Sequence, residues 1–227
     1  MKKTAKLAFT DTLPVLTGYI VLGFGFGIVL RANGYGVLWA LVMSLFIYAG
    51  SMQYVAIELL ASGASLVTAA LTTLMVNARH LFYGISMLDK YKTAGKRKPY
   101  LIFALTDETY SLVCKEKPNV PDENKTDYFF LVSLFNQIYW VAGSVLGAVV
   151  GNLVEFNSNG IEFALTALFL TVLVEQWLTA KNHFPALTGI VVTLLCLLLF
   201  GKDSFLIPAM LIIALLLCVT KEKKENV

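Results

Sequence analysis

The sequence predicts an all-α polytopic membrane protein with about 6–8 transmembrane or half-spanning helices. Hydrophobic residues make up 57% of the chain and charged residues 15%, whereas soluble domains have about 45–50% and about 25%. The mean hydropathy is +0.71. Four stretches contain no charged residue and are long enough to span or nearly span a bilayer as helices: 12–30, 32–57, 59–78 and 128–154. These observations exclude a water-soluble globule.

Charge and cysteine content exclude further classes of protein. The net charge of +3 is too small to indicate a nucleic-acid partner. The three cysteines have no metal-ligand spacing, so no metal or other cofactor is expected. The start is basic like a signal peptide, but Asp11 and Pro14 interrupt the apolar region and no cleavage site follows. We therefore expect an uncleaved first helix and one integral-membrane domain over 1–227.

Three basic clusters predict the orientation, because Lys and Arg near helix ends favour the cytoplasm. They are Lys2, Lys3 and Lys6; Lys90, Lys92, Lys96, Arg97 and Lys98; and Lys221, Lys223 and Lys224. The N- and C-termini are then both cytoplasmic. The first helix, 12–30, leaves the cytoplasm, and the second, about 37–60, returns.

The segment 64–88 must then leave and return within 25 residues, which is too short for two full spans. The sequence changes character at Asn77, Ala78, Arg79 and His80, and we expect two short or broken helices that meet near Asn77. One continuous helix is the alternative, and in this scheme it would put the second basic cluster outside.

The second half is predicted to contain four spans. Residues 128–154 leave the cytoplasm, 160–180 return, 185–200 leave again and 204–220 end inside. Between the halves, 99–114 is expected to be partly inserted or tilted, and 115–127 is polar and linker-like.

A shift of 124 residues aligns the chain weakly with itself, which indicates a two-fold internal repeat with halves 10–98 and 127–220. Gly23 and Gly27 then fall on Gly147 and Gly151. Glycines spaced by four residues lie on one helix face and allow close helix packing. The alternatives are a chance match for the repeat, and a sliding contact or a thin pathway wall for the glycines.

Polar residues within the apolar stretches are the candidate site residues, because a charge at membrane depth needs a partner or a water-filled cavity. Arg79 and His80 follow a long uncharged run. At a helix break, free N–H groups and a guanidinium would bind a carboxylate, and His80 could carry a proton. The alternative is that Arg79 snorkels to the interface and His80 is simply hydrogen-bonded.

Four further residues complete the candidate set. Asp107 and Glu108 are an anionic pair that could compensate Arg79, bind an ammonium group or titrate. The stretch 48–53 puts a small-residue break, a hydroxyl and the Gln53 amide near the end of the second helix, and its counterpart in the repeat alignment begins with Glu175. For each acid the alternative is an interfacial position without a transport role. No nucleotide P-loop, zinc-protease motif or potassium-channel filter is present in the sequence, so an enzyme is not expected.

Several motifs together resemble the AzlC family, the large subunit of AzlC/AzlD-type (BrnF/BrnE, YgaZ/YgaH) branched-chain amino-acid exporters. They are Pro14 and Gly18, YAGSMQ at 48–53, NARHLFYGIS at 77–86, TDETYS at 106–111 and EQW at 175–177. The resemblance implies gradient-driven export of valine, leucine and isoleucine, with methionine or toxic analogues as further candidates. It also implies a bacterial cytoplasmic membrane and a small AzlD-like partner subunit.

The resulting hypothesis is a site for a zwitterion with a short apolar side chain. The carboxylate docks at Asn77–His80 with Arg79, and the ammonium meets Asp107 or Glu108. The side chain packs on Phe82 and Tyr83, and a proton exchanges at His80 or one of the acids. Two rivals are a passive channel or facilitator and a scaffold subunit whose partner holds the site.

Overall fold

The computed structural model describes residues 2–114 and 120–153 and, beyond them, 170, 173, 174, 177, 178, 180, 182–201, 205, 208, 209, 211–213 and 215–217. Every regular element in these residues is helical. The chain divides into two compact units, Met1–Leu165 and Thr166–Val227.

The first unit contains seven α-helices within its described residues. They are α1 (Lys2–Ala32), α2 (Val37–Phe46), α3 (Gly50–Ala61), α4 (Leu66–Ser86), α5 (Lys98–Phe103), α6 (Asp107–Val113) and α7 (Lys125–Leu153). Two 3₁₀ turns, Lys92–Arg97 and Asp122–Asn124, precede α5 and α7. By length and apolar composition, two helices of the described part of the chain could cross a membrane, over Lys3–Ala32 and Asp122–Leu153.

Helices α1 and α7 pack against each other in parallel. The hydroxyls of Thr12 and Tyr139 are 3.2 Å apart toward the start of α1, and Arg31 donates to Asn152 at its end. Between these contacts the backbones touch. A Cβ atom added at Gly27 or at Gly147 would overlap backbone atoms of the opposite helix. The glycine positions therefore allow an approach that any larger residue would prevent.

The second predicted helix is broken, and the chain reverses at residues 47–49. Tyr48 has φ +42°, a left-handed conformation that is uncommon outside glycine. Across the turn, the Gln53 amide nitrogen donates to the Ser44 hydroxyl over 3.2 Å. A continuous helix would separate these two residues by about 13.5 Å along its axis, so α2 and α3 form a short helical hairpin.

Helix α4 is continuous, and the predicted break near Asn77 is wrong. Ser65 accepts a hydrogen bond from the Thr68 backbone N–H over 3.1 Å and caps the helix start. From Leu66 to Tyr83 the helix contains neither glycine nor proline, so nothing in its sequence interrupts the backbone hydrogen bonds. The change in polarity at Asn77 corresponds to a change in the groups that α4 contacts, while the axis of the helix keeps its direction.

The end of α4 lies at the same end of the unit as the N-terminus. Met87 and Tyr91 share a core cluster with Ala8 of α1. Leu101 of α5 and Val113 of α6 belong to the same cluster. The turn between these two helices lies further along α1, where Thr106 contacts Tyr19. Helices α5 and α6 therefore form a second hairpin, which enters from the Ala8 end, whereas α2 and α3 enter from the Ala32 end.

The second unit contains α8 (Phe184–Phe200), which coincides with the predicted span 185–200. Gly201 follows it with φ +73°. Val192 and Cys196 of α8 form a small core with Ala209. Most of the predicted spans 160–180 and 204–220 and the C-terminal basic cluster lie outside the described residues.

Candidate functional site

The turns of the two hairpins meet beside α7. The rings of Tyr48, in the first turn, and Phe103, at the start of the second, have centroids 6.2 Å apart. Gln137 of α7 bridges the two hairpins, because its amide nitrogen donates to the Leu45 carbonyl over 3.2 Å and its amide oxygen accepts from the Tyr100 hydroxyl over 2.8 Å. Interrupted helices thus face each other from opposite ends of the unit.

Arg79 of α4 joins the two hairpins through its guanidinium. Its Nη1 lies 3.0 Å from Asp107 Oδ2, and both side chains are partly exposed, at 34% and 25%. Its Nη2 donates to the Ser51 hydroxyl over 2.7 Å. One cation therefore contacts the first turn of α3 and the first turn of α6. The sequence had suggested that an acid of the 107–108 pair compensates Arg79, and the structure brings Asp107 to it.

Two buried polar atoms of this ion pair, and one of Asn77 elsewhere on α4, have no hydrogen-bond partner within the described residues. They are Arg79 Nε, Asp107 Oδ1 and Asn77 Oδ1. Since buried polar groups are nearly always hydrogen-bonded in folded proteins, the two atoms of the ion pair mark a place where a polar ligand or water completes the site. Asn77 lies two residues before Arg79 on the same helix.

The helix end beside Arg79 belongs to α3, and not to a break in α4. Ala49 precedes α3 and provides no side-chain cap for its first N–H groups. These groups carry partial positive charge at the N-terminus of a helix. The predicted combination of a helix end and a guanidinium is therefore present, but the turn at 47–49 supplies the helix end.

Aromatic side chains form one wall next to the ion pair. Tyr83 stacks on Tyr110 of α6 with centroids 4.5 Å apart, and His80 contacts the edge of Tyr83 at 5.9 Å. Both His80 and Tyr83 lie close enough to Asp107 to interact with its charge. Phe82 is 67% exposed and does not belong to this wall.

Glu108 forms its hydrogen bond within a network of uncharged groups. The Tyr19 hydroxyl donates to Glu108 Oε2 over 2.6 Å and lies 2.7 Å from Thr106 Oγ1. Thr106 in turn donates to the Thr109 hydroxyl over 3.0 Å, and the Asn136 amide of α7 donates to the same hydroxyl over 3.0 Å. The two acids are thus adjacent in sequence but differ in their surroundings.

One of the predicted site residues, Gln53, does not join this group in the structure. Gln53 is fully buried, and its amide is bonded to Ser44 and to the indole N–H of Trp140 over 2.8 Å. It fastens the first hairpin to α7. Glu175 lies outside the described residues.

Four polar side chains of the site were not predicted from the sequence: Tyr19, Thr106, Thr109 and Asn136. Ser51 lies in the stretch 48–53, where a hydroxyl and an amide were expected, but its bond to Arg79 was not predicted. Thr106 had a detectable signal, because a threonine before Asp and Glu is a typical helix cap, and it does cap α6. Tyr19 and Asn136 lie in uncharged runs and had none. Within the part of the chain that the structure describes, no group of His, Cys, Asp and Glu side chains is suited to hold a metal ion.

Comparison with known proteins gives consistent matches. A family model described as "AzlC protein" matches residues 14–154. The branched-chain amino acid transport protein AzlC of Bacillus subtilis (strain 168) is 44% identical over 220 residues, which cover 96% of this chain and 86% of that protein. An uncharacterized membrane protein of Haemophilus influenzae is 42% identical over 99% of this chain and 92% of its own length. The inner membrane protein YgaZ of Escherichia coli K12 is 31% identical over 74% of this chain and 71% of its own length. No solved structure matches significantly.

Proposed function

Since this chain belongs to the AzlC family of membrane transport proteins, which confirms the resemblance inferred from its motifs, we propose that it exports branched-chain amino acids across the bacterial cytoplasmic membrane, driven by an ion gradient. The name of the Bacillus subtilis relative, a branched-chain amino acid transport protein, supports this substrate class. Family membership also identifies a transporter and not an enzyme. The proposal includes a small AzlD-like partner subunit in the same membrane.

The observation that carries the proposal is the meeting of two helical hairpins at the Arg79–Asp107 pair. Interrupted helices that meet at mid-depth form the substrate sites of many secondary transporters, because their ends offer backbone N–H groups and carbonyls without breaking the rule that buried backbone must be bonded. A lipid-facing structural salt bridge would not need two helix ends beside it.

The charges of the site match a zwitterion. The substrate carboxylate binds Arg79, Ser51 and the first N–H groups of α3. The substrate ammonium binds Asp107, whose Oδ1 has no hydrogen-bond partner within the described residues. The apolar side chain packs against the stacked pair of Tyr83 and Tyr110, which lie within reach of the ion pair.

Substrate binding would exchange one set of ionic bonds for another. In the empty site Arg79 and Asp107 neutralise each other. A bound zwitterion separates them and supplies an opposite charge to each, so the cost of breaking the pair is offset by two new charge-assisted contacts. Because Arg79 belongs to α4 and Asp107 to α6, this exchange would change how the second hairpin is held against α4.

A topology with a continuous α4 can still satisfy the positive-inside rule. We propose that the Ala8 end is cytoplasmic, together with both termini. Then α1 leaves the cytoplasm, α2 and α3 dip in and return outside, and α4 crosses back. The parallel packing of α1 and α7 supports the proposed duplication into halves 10–98 and 127–220, and the total of about 6–8 helices remains part of the proposal.

Amino-acid export from intact cells tests the proposed function. Cells without their own exporter, with or without this chain and its small partner, are fed a leucine-containing dipeptide, and excreted leucine is followed with and without an uncoupler. We expect excretion that requires the chain and stops with the uncoupler. Excretion that persists at full rate with the uncoupler would identify a passive facilitator, and no excretion with both proteins in the membrane would contradict the substrate assignment.

The site itself is tested in the same assay by Arg79→Lys. Lysine keeps the charge but loses the planar fork of donors that reaches Asp107 and Ser51 together. We expect the export rate to fall about 10–100-fold, in line with the loss of a bidentate contact. The matched control is Arg97→Lys, because Arg97 pairs with Asp127 outside the site, and it should leave the rate within twofold. Equal rates for both variants and the wild type would favour a scaffold role for the chain.

A further inference from the structure

The two adjacent acids in α6 have different partners, one a cation and the other a neutral hydroxyl, and this difference indicates separate roles. Asp107 faces a guanidinium at 3.0 Å. Glu108 forms no salt bridge within the described residues, and its carboxylate receives its hydrogen bond from the Tyr19 hydroxyl. A carboxylate paired with Arg stays ionised, whereas one surrounded by neutral groups away from water is costly to ionise and readily takes up a proton.

The hydrogen bonds around Glu108 can accommodate either protonation state without moving a heavy atom. When Glu108 is ionised, the Tyr19 hydroxyl donates to it. When Glu108 is protonated, its O–H donates to the Tyr19 oxygen, and the Tyr19 hydroxyl turns to Thr106 at 2.7 Å, where either atom can be the donor. In this protonated state Thr106 donates to Thr109. In the ionised state the Thr106 hydroxyl turns its hydrogen to the Tyr19 oxygen instead, so the two states differ only in the rotation of hydroxyl hydrogens.

Within the part of the chain that the structure describes, five titratable or charged groups face Glu108. They are Tyr19 of α1, Tyr48 of the first hairpin turn, Arg79 and Tyr83 of α4, and Asp107 of α6 itself. Arg79 is the one cation among these groups, and Asp107 already engages it. The nearby residues of α7, such as Asn136, are uncharged.

We propose that Glu108, hydrogen-bonded to Tyr19, is the proton-carrying residue of the transporter, and that Asp107 is a substrate ligand that does not carry the proton. This inference rests on the proposed function and separates two acids that the sequence alone could not distinguish. The proton resides on the Glu108 carboxyl group, beside the position of the substrate ammonium.

Because the two acids are adjacent, proton binding at Glu108 is coupled to substrate binding at Asp107. An ionised Glu108 adds negative potential next to Asp107 and favours the substrate ammonium, whereas a protonated Glu108 does not. Proton and substrate therefore compete for the site. Competition of this kind produces exchange in opposite directions, so proton entry drives substrate exit, as export requires.

Reconstituted transport distinguishes this inference from the proposed function. The full chain with its partner is placed in liposomes, and radiolabelled leucine is measured in two modes: counterflow against unlabelled leucine at equal pH, and accumulation driven by an acidic interior. Because Glu108→Gln removes the charge that favours the substrate ammonium, counterflow is measured at saturating leucine, where we expect the variant to stay within about threefold of the wild type. Its acid-driven accumulation should fall at least tenfold. Asp107→Asn, the matched amide substitution, should lose both.

Each outcome has a distinct meaning. Full acid-driven accumulation by Glu108→Gln would overturn the inference, and absence of counterflow in the wild type would overturn the proposed function instead. Tyr19→Phe provides a second test, because it keeps the ring that packs on Trp140 and removes a donor to the ionised carboxylate. We expect its transport pH profile to move to higher pH at unchanged protein yield. An unchanged profile would show that Tyr19 does not act on the proton.

Discussion

The contact between α1 and α7 and the contacts of α4 represent two opposite ways of holding a membrane helix. Along α1 and α7, backbone lies on backbone, and an added methyl group would not fit. Helix α4 has no buried residue within the described part of the chain and is held by the Arg79 bonds and by stacked rings. The contact between α1 and α7 can form in one geometry only, because the backbones touch. The contacts of α4 are bonds that a substrate can replace, so we infer that α1 and α7 form the fixed frame of the unit and α4 the adjustable part.

The largest effect should come from Gly27→Ala, which tests the fixed frame. The added Cβ would overlap backbone atoms of Ser144 and Ala148, and the helices could accept it only by separating. We expect a loss of more than about 3 kcal/mol of stability, measured as a lower melting temperature in detergent or as absent folded protein.

Gly84→Ala in α4 is the matched control for this change. A Cβ at Gly84 meets no atom within 4 Å, and alanine is the better helix former by about 1 kcal/mol. Its stability should therefore equal or exceed that of the wild type. Equal losses for Gly27→Ala and Gly84→Ala would remove the distinction between frame and adjustable helix.

An intermediate effect is expected for Gln53→Leu, which separates anchoring from substrate binding. The change leaves the buried indole N–H of Trp140 without its acceptor, at a cost of about 1–3 kcal/mol. The KM for leucine should remain within twofold. Ser51→Ala is the counterpart, because it removes a bond to Arg79 and should raise KM at unchanged stability. A large change of KM in Gln53→Leu would instead place Gln53 in the substrate site.

The smallest effect on transport is expected for Lys96→Cys, which tests the orientation of the frame. In a variant without native cysteines, this exposed residue near the Ala8 end should react with a membrane-impermeant thiol reagent only after the cells are opened. Ser62→Cys, in the exposed turn between α3 and α4, should react in intact cells. The reverse pattern would invert the proposed topology, and both variants should retain export.

The comparison also explains which features could be predicted from sequence. Long uncharged runs predict α1 and α7 well, because burial in lipid depends on composition. The pairing of Arg79 with Asp107 was one of several predicted possibilities, since intramembrane charges need partners. The helix break beside Arg79 was expected at Asn77, where polarity changes, but it occurs at Tyr48, a residue type that rarely adopts positive φ. The small-residue stretch 48–53 did indicate a break near the end of the second helix, but no local pattern showed that the chain would reverse there.

Tyr19 had no sequence signal for a physical reason. Its hydroxyl becomes important only because the second hairpin brings Thr106 and Glu108 to the middle of α1. That arrangement depends on long-range packing, which residue spacing does not specify. A charged residue in an apolar stretch can be recognised as a candidate site residue on its own. An uncharged polar residue becomes part of a site only through the neighbours that the fold places beside it.

The depth of Tyr19 has an electrical consequence. It lies near the middle of the 31-residue helix α1, so in the proposed topology a proton that reaches Glu108 from either side would cross about half of the membrane field. A full crossing is worth about 2.3 kcal/mol per 100 mV, and half of it corresponds to roughly 0.8 pH unit. The membrane voltage would therefore act on proton binding itself as well as on the overall direction of transport.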